Sequence, residues 1–243
     1  MKDILVIMPE TLEAYLAAIS AVQALREEQK ILTGKDQKFV VCSNDKFNYL
    51  WPALPTEDII SSVEPVRGQY ELVYSFDEQI AYELSLPTKR HMAEVFGILI
   101  GSSAKTLPDL SKVKIPVYED AVIDIDVLVL PYKDKAECSL IKSLTGKCGL
   151  PFSVGCLGLN DKAADWVANA KLVVGPRCGA TYLAAALGKI VVEIYPTDRH
   201  KGWLSKWSSQ KYRMFYEDNP DVDRVCKVVE EAWTTYQISA PGQ

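Results

Sequence analysis

Short apolar runs alternate with segments of helical periodicity along the whole chain. The first run, Ile4–Met8, ends at Pro9, and the segment Thr11–Gln29 then carries apolar residues at three- and four-residue spacing. A continuous apolar run is typical of a strand that is buried on both faces, as in parallel sheets with crossover helices. The alternation therefore predicts an α/β protein built on parallel sheets with helices on both faces.

The same reading gives the remaining elements. The predicted strands or short apolar runs are Ile4–Met8, Phe39–Cys42, Asp58–Ile60, Leu72–Phe76, Val127–Leu130, Phe152–Cys156, Leu172–Val174 and Ile190–Tyr195. The predicted helices are Thr11–Gln29, a turn at Phe47–Trp51 stopped by Pro52, Pro87–Leu99, Ala136–Leu144, Asp161–Ala170, a small-residue helix from Cys178 to Gly188, and Asp221–Tyr236.

The length of 243 residues allows two domains, because domains cluster near about 100–150 residues. Two sets of alternating strands and helices predict two Rossmann-like halves, residues 1–120 and 121–243, facing each other across a cleft. Ligands of such sheets bind beyond the carboxyl ends of the strands, so the cleft is the expected ligand site.

Composition narrows the possible functions. A net charge of −5 argues against general nucleic-acid binding, which needs clustered Lys and Arg. The six cysteines form no C-x-x-C pair and only two histidines are present, so we expect no metal site and reduced thiols in a cytoplasmic protein. The first apolar run is too short for a signal peptide, and no segment approaches the roughly 20 apolar residues that span a bilayer.

The segment Gly175–Thr181 predicts an anion-binding turn. A strand ends at Gly175-Pro176, and a helix then begins whose first backbone N–H groups have no partner within the helix. These donors and the helix dipole attract phosphate, and Gly179 and Ala180 allow a ligand close to the backbone. Arg177, inside the turn, needs an anionic partner, either a protein carboxylate or a ligand phosphate. The alternative is a purely structural role, in which the segment is a close-packed strand–turn–helix unit without a ligand.

The stretch GPRCGATYLAAALGKIVVEIYPTD, residues 175–198, resembles the nucleotide-sugar loop of glycosyltransferase family 9, the ADP-heptose:lipopolysaccharide heptosyltransferases. The pattern of that loop is approximately G-P-D-[ST]-G-x-x-H-L-A-A-A-L-G-K-P-V-V-x-[LI]-[FY]-G-[PA]-T-[DS]. The N-terminal stretch ILVIMPETLEAYLAAISAVQAL resembles the first strand and helix of the family, where a Gly-Asp pair begins the helix. Tyr70–Val73 resembles its Y-D-L-V-I-D strand.

The resemblance implies the GT-B fold and an inverting glycosyltransferase that needs neither a metal nor a cofactor. The C-terminal domain would hold a nucleotide-diphosphate sugar and the N-terminal domain a saccharide or other hydroxyl acceptor. The implied donor-binding residues are Gly175, Pro176, Cys178, Gly179, Ala180, Thr181, Tyr182, Thr197 and Asp198. On the acceptor side the resemblance implies Thr11 and His91.

The chain departs from the family pattern at the catalytic positions. The Gly-Asp pair, whose Asp is the candidate base, is Glu13-Ala14 here, and one residue is a rotation of about 100° on a helix. Glu13 and the loop residue Glu10 are therefore both candidate bases, although Glu13 also fits a solvated helix surface. Arg177 replaces an acid and Tyr182 replaces a His. Arg177 would stabilise the leaving diphosphate, or it marks a changed donor or an inactive site.

Two further groups of basic residues are candidates for phosphate contacts. Lys133 and Lys135 follow the first strand of the second half and would bind donor phosphate, unless they are solvated turn charges. The basic aromatic segment 199–213 follows the donor loop and contains Arg199, Lys201, Trp203, Lys206 and Trp207. It would close over the donor or contact a DNA acceptor, or its tryptophans cover the core.

The leading hypothesis is an inverting, metal-independent glycosyltransferase. One alternative is a non-catalytic GT-B-like binding or assembly protein, and a second is a phage-type DNA-modifying glycosyltransferase. The sequence leaves the donor, the acceptor and the oligomeric state open.

Overall fold

The computed structural model divides into two compact units, unit 1 ending at Lys114 and unit 2 beginning at Ile115. The predicted boundary between residues 120 and 121 lies outside the described residues. The structure describes residues 4–35, 38–56, 58–60, 70, 72–88, 90–104, 107–116, 124–130, 143–144, 146–150, 152–154, 161–176, 178–196, 212–216 and 220–239.

Unit 1 is built on a parallel sheet, and its strands are formed by the apolar runs of the sequence. The strands are β1 (Ile4–Ile7), β2 (Phe39–Cys42), β3 (Asp58–Ile60) and β4 (Leu72–Ser75), in the order β3-β2-β1-β4. β2 is fully buried, and β1 nearly so, as continuous apolar runs require. The predicted strands of this unit are confirmed to within one residue.

The helices of unit 1 begin at side-chain caps. They are α1 (Leu12–Thr33), a 3₁₀-helix (Asp45–Ala53), α2 (Glu78–Thr88) and α3 (Met92–Ile100). The Thr11 side chain accepts the N–H of Ala14, and α1 ends at Gly34 with a left-handed φ of 67°. α1 therefore runs four residues beyond its predicted end at Gln29.

The prediction of one helix over Pro87–Leu99 is wrong, because two helices meet in this region. α2 was missed, and Pro87 lies in its last turn rather than at a helix start. α3 begins after His91, whose Nδ1 accepts the N–H of Ala93 at 3.1 Å. Glu94 accepts the His91 N–H at 3.0 Å, which completes a reciprocal cap that fixes the start of α3. Pro52 lies inside the 3₁₀-helix and does not end it.

Unit 2 is built on a second parallel sheet. Its strands are β5 (Ile125–Val129), β6 (Phe152–Val154), β7 (Ala170–Gly175), β8 (Ile190–Pro196) and β9 (Arg213–Tyr216), in the order β6-β5-β7-β8-β9. Its helices are α4 (Asp161–Asn169), α5 (Gly179–Ala186) and α6 (Val222–Ser239). The strand β9 was not predicted, and the predicted helix Ala136–Leu144 lies almost wholly outside the described residues.

The core of unit 2 follows the two-residue period of its strands. Alternate residues of β5, β7 and β8 pack in one cluster with α6; they are Val127, Val129, Leu172, Val174, Val192 and Ile194 against Val225, Val229 and Ala232. The intervening residues, such as Leu128 and Val173, point to the opposite face. The sequence prediction of two Rossmann-like α/β halves is confirmed. None of the described helices has the length and apolar character needed to cross a membrane.

Two leucines on α1 test how much of the stability of unit 1 comes from the buried face of this helix. Leu16 is fully buried and Leu32 is 79% exposed. We expect Leu16→Ala to lower the free energy of unfolding by about 2–5 kcal/mol, because the truncation leaves a cavity. Leu32→Ala, the matched control, should change it by less than about 0.5 kcal/mol. Urea unfolding of both variants measures this, and equal effects would contradict the assigned burial of α1.

Candidate functional site

The candidate catalytic acids lie at the carboxyl edge of the unit 1 sheet. Glu10 is exposed in the loop between β1 and α1, and Glu13 is half-buried in the first turn of α1. The neighbouring loops continue the ladder, since Met8 N–H donates to Cys42 O at 2.9 Å and Phe76 N–H to Ile7 O at 3.2 Å. The loops after β1, β2 and β4 therefore meet at the edge where such sheets bind ligands.

Glu78 joins the loop after β1 to the start of α2. Its Oε1 accepts the N–H groups of Glu10 at 3.1 Å and Thr11 at 2.8 Å, and its Oε2 accepts the Thr11 hydroxyl at 3.0 Å. We call these three hydrogen bonds the Glu78 bridge. Glu78 was not predicted as a site residue, although its position just after the predicted strand Leu72–Phe76 was an available signal.

Lys46 approaches the same loop from the other side. Its Nζ lies 3.5 Å from the Glu10 carbonyl oxygen and 5.2 Å from the centre of the Phe47 ring. Lys46 follows β2, whereas Glu78 follows β4, and β1 lies between these two strands. The backbone of Glu10 is thus held between a carboxylate and an ammonium group.

A buried hydroxyl network connects α1 to the loop after β2. The Tyr15 hydroxyl lies 2.8 Å from Ser43 Oγ, which also accepts the Trp51 indole N–H at 3.3 Å. The Tyr15 ring packs edge-on against Phe47, with the ring centres 5.2 Å apart. Burial raises the pKa of Tyr15 to about 12, and the hydrogen bonds from Ser43 and Trp51 oppose this only in part.

The two acceptor-side candidates have defined structural roles. Thr11 lies beside Glu10 and caps α1. His91 is 2% exposed and its Nδ1 is engaged in the cap of α3. Acceptor contacts by either residue stay predictions.

In unit 2, the turn between β7 and α5 is held closed by Thr181. The Thr181 Oγ1 accepts the Cys178 N–H at 3.0 Å and lies 2.8 Å from the Cys178 carbonyl and 3.1 Å from that of Pro176. Cys178 and Pro176 are half-buried, and Gly179 and Ala180 are buried at the first turn of α5. The fixed turn directs the first N–H groups of α5 toward the carboxyl edge of the sheet.

Gly175 ends β7 where a side chain would collide with Leu130, the residue after β5. A Cβ at this position would lie 2.8 Å from Leu130 Cβ. The glycine therefore permits the close packing that aligns the turn with the sheet.

Two large polar side chains lie buried near this turn. Tyr182 is fully buried, so its ring belongs to the packed interior of unit 2. Glu193, which the sequence analysis did not single out, is 1% exposed and pairs in register with Gly175 on β7 and with Arg213 on β9. A single charged residue within the apolar run of β8 was the available signal for Glu193.

The remaining site predictions lie outside the described residues. They are Arg177, Lys133, Lys135, Thr197, Asp198, Arg199, Lys201, Trp203, Lys206 and Trp207. Within the described part of the chain, no three His, Cys, Asp or Glu side chains are grouped so as to hold a metal ion.

An open groove of about 970 Å³ lies in unit 1 at the opposite end of the strands. Lys38 and Phe39 at the start of β2, Arg26 on α1, and Asp58 are part of its lining. Lys38 pairs with Asp58 at 2.7 Å, and Arg26 donates to the Pro55 carbonyl at 3.0 Å. Because Lys38 and Asp58 pair with each other and the groove is at the amino edge, we do not assign the donor or acceptor to it.

Comparisons with solved structures identify the fold. The dodecameric iron-containing heptosyltransferase TibC of enterotoxigenic E. coli, solved with ADP-D-β-D-heptose, is similar with a TM-score of 0.61 and 13% identity over 97% of this chain and 77% of TibC. The E. coli heptosyltransferase WaaC with ADP is similar with a TM-score of 0.59 and 15% identity over 95% of this chain and 99% of WaaC. A glycosyltransferase of family 9 from Veillonella parvula is similar with a TM-score of 0.57 and 11% identity over 96% of this chain and 97% of the Veillonella chain.

No protein-family model matches the chain, and no curated protein matches it by sequence. The similarity to solved structures extends along the whole chain at low identity, and it establishes the GT-B fold. The sequence resemblance to glycosyltransferase family 9 is therefore confirmed as a resemblance of fold.

The buried Tyr15 hydroxyl predicts a loss of stability at alkaline pH. The folded pKa of about 12 lies above the usual value of 10.0, so the contribution of Tyr15 is complete below pH 10 and is lost as the pH rises toward 12. Between pH 8 and pH 11, the wild type should lose about 1.4 kcal/mol relative to Tyr15→Phe. Urea unfolding of both proteins at the two pH values measures this difference, and parallel losses would contradict the burial of an intact phenol.

The close packing at Gly175 predicts a cost for any side chain there. Gly175→Ala should lower the free energy of unfolding by about 1–3 kcal/mol, because the added methyl overlaps Leu130. Gly149→Ala is the matched control, since a Cβ at Gly149 meets no atom within 4 Å. Denaturation curves that place both variants at the same stability would show that β7 and β5 are not packed this closely.

Proposed function

We propose that this chain is a glycosyltransferase that moves a sugar from a nucleoside-diphosphate sugar to an acceptor hydroxyl. The observation that carries the proposal is the braced turn between β7 and α5, an anion-binding geometry at the carboxyl edge of the C-terminal sheet of a GT-B fold. The fold by itself supports many functions, so the proposal depends on the chemistry of this turn.

The donor diphosphate is proposed to bind at the first turn of α5. The N–H groups of Gly179 and Ala180 would donate to phosphate oxygens, and Arg177 would add a guanidinium beside them. Lys133, Lys135 and the basic aromatic segment would supply further positive charge and stacking surface. TibC and WaaC were solved with ADP-D-β-D-heptose and ADP, so an ADP-sugar is the first donor to test.

The proposed reaction is a single displacement with inversion. The acceptor oxygen forms a bond to the anomeric carbon as the bond from that carbon to the diphosphate oxygen breaks, and the electron pair leaves with the diphosphate. The hydroxyl proton passes to the carboxylate of Glu10 or Glu13, which acts as the general base. Positive charge at the turn between β7 and α5 stabilises the leaving group without a metal ion.

A donor screen tests this proposal. We expect one of ADP-heptose, other ADP-sugars, UDP-, GDP- and CDP-sugars to raise the apparent unfolding temperature, and its nucleoside diphosphate to be released when an acceptor is supplied. Arg177→Ala should reduce turnover by about 10²–10³-fold with little effect on folding, because the leaving diphosphate loses a cationic partner.

Arg224→Ala is the matched control, since Arg224 is an exposed arginine in the first turn of α6. If no sugar nucleotide of the panel raises the apparent unfolding temperature, the proposal is refuted in favour of a non-catalytic GT-B-like protein. Salt-sensitive DNA binding together with transfer of a sugar to DNA would identify a DNA-modifying glycosyltransferase instead.

A further inference from the structure

We propose that Glu78 is a positioning residue that sets the geometry of the general base in unit 1. This inference rests on the proposed glycosyltransferase function. It concerns how the acid is placed, and Glu78 itself is not required to touch the substrate.

The Glu78 bridge is a long-range connection in which two of the three donors are backbone N–H groups. Its three hydrogen bonds join residues that are separated by 67 or 68 positions in the chain. Two of these bonds satisfy consecutive N–H groups in the loop between β1 and α1. A carboxylate that accepts backbone N–H groups makes charge-assisted hydrogen bonds, which are stronger than neutral ones. The path of this loop therefore depends on one side chain from another element.

Both candidate bases depend on the bridge. For Glu10, the bonded N–H belongs to its own backbone, so the bridge fixes the origin of the Glu10 side chain. For Glu13, the link passes through Thr11, which is bonded to Glu78 and caps the first turn of α1 by accepting the Ala14 N–H. Glu78 thus positions the acid whichever of the two takes the proton.

The hydrogen bonds also distinguish Glu78 from the base itself. Its Oε1 accepts two backbone N–H groups and its Oε2 accepts a hydroxyl, so both oxygens already have donors. Three of the about four acceptor positions of this carboxylate are thereby taken by the loop between β1 and α1. We therefore assign Glu78 the role of holding this loop, and the role of the base stays with Glu10 or Glu13.

Three variants on α2 separate the bridge from general effects on the helix. Glu78→Ala removes the acceptors. Glu78→Gln keeps a carbonyl oxygen that accepts both N–H groups, and its amide can donate to Thr11 Oγ1. The control is Glu83→Ala on the same helix, whose carboxylate accepts a bond from Gln79 within α2 at 2.8 Å.

The turnover of these variants tests the positioning role. With the donor identified by the screen, Glu78→Ala should lower kcat by about 10²-fold, because a small misplacement of a catalytic group is costly. The donor KM should stay unchanged, since the donor is proposed to bind in unit 2. Glu78→Gln should recover most of the lost kcat, and Glu83→Ala should behave as the wild type.

Amide hydrogen exchange, measured residue by residue by NMR, tests the bridge without any substrate. We expect faster exchange at Glu10 and Thr11 in Glu78→Ala, partial restoration in Glu78→Gln, and no change in Glu83→Ala. Unchanged exchange in Glu78→Ala would overturn the bridge. Faster exchange with unchanged kcat would overturn the positioning role and leave the transferase proposal intact. A wild type that protects both amides but turns over no donor would instead overturn the proposed function, and the catalytic role of Glu78 with it.

Discussion

The central position of β1 in its parallel sheet determines which side chains meet at the candidate acid site. Because β1 lies between β2 and β4, the loop after it has a neighbouring loop on each side. One neighbour supplies Lys46, which approaches the Glu10 carbonyl, and the other leads to Glu78, which binds the Glu10 and Thr11 N–H groups. Beneath them, the Tyr15–Ser43 contact ties α1 to the loop after β2. The strand order thus brings residues that are far apart in sequence together at one edge of the sheet, where they hold the loop after β1.

In unit 2, too, the strand that leads to the candidate site lies between two other strands. β7 is flanked by β5 and β8, and its carboxyl end carries the turn that Thr181 holds closed. Gly175 is required there because Leu130, the residue after β5, occupies the space of a side chain. The turn between β7 and α5 is therefore shaped by close packing and by one hydroxyl group.

Most of the strands could be predicted from the sequence because a buried parallel strand needs a continuous apolar run. Phe39–Cys42 was predicted to the residue for this reason. α2 was missed because its apolar residues Ile80 and Leu84 are exposed and because Pro87 lies within it. β9 was missed because it begins at Arg213, the last residue of the basic aromatic segment, which suggested a binding loop. The position of Glu78 just after a predicted strand could be seen in the sequence, but its bonds to Glu10 and Thr11 could not. The partners are separated by 68 and 67 positions in the chain, and hydrogen bonds over such a separation leave no local pattern.

Under the proposed function, the turn between β7 and α5 holds the diphosphate of a nucleotide-sugar donor. The most direct measurement is a crystal structure of the protein with ADP or with the donor that stabilises it. We predict diphosphate oxygens within about 3 Å of the N–H groups of Gly179 and Ala180. A nucleotide bound elsewhere, for example in the groove at the amino edge of unit 1, or a turn left empty at saturating nucleotide, would contradict it.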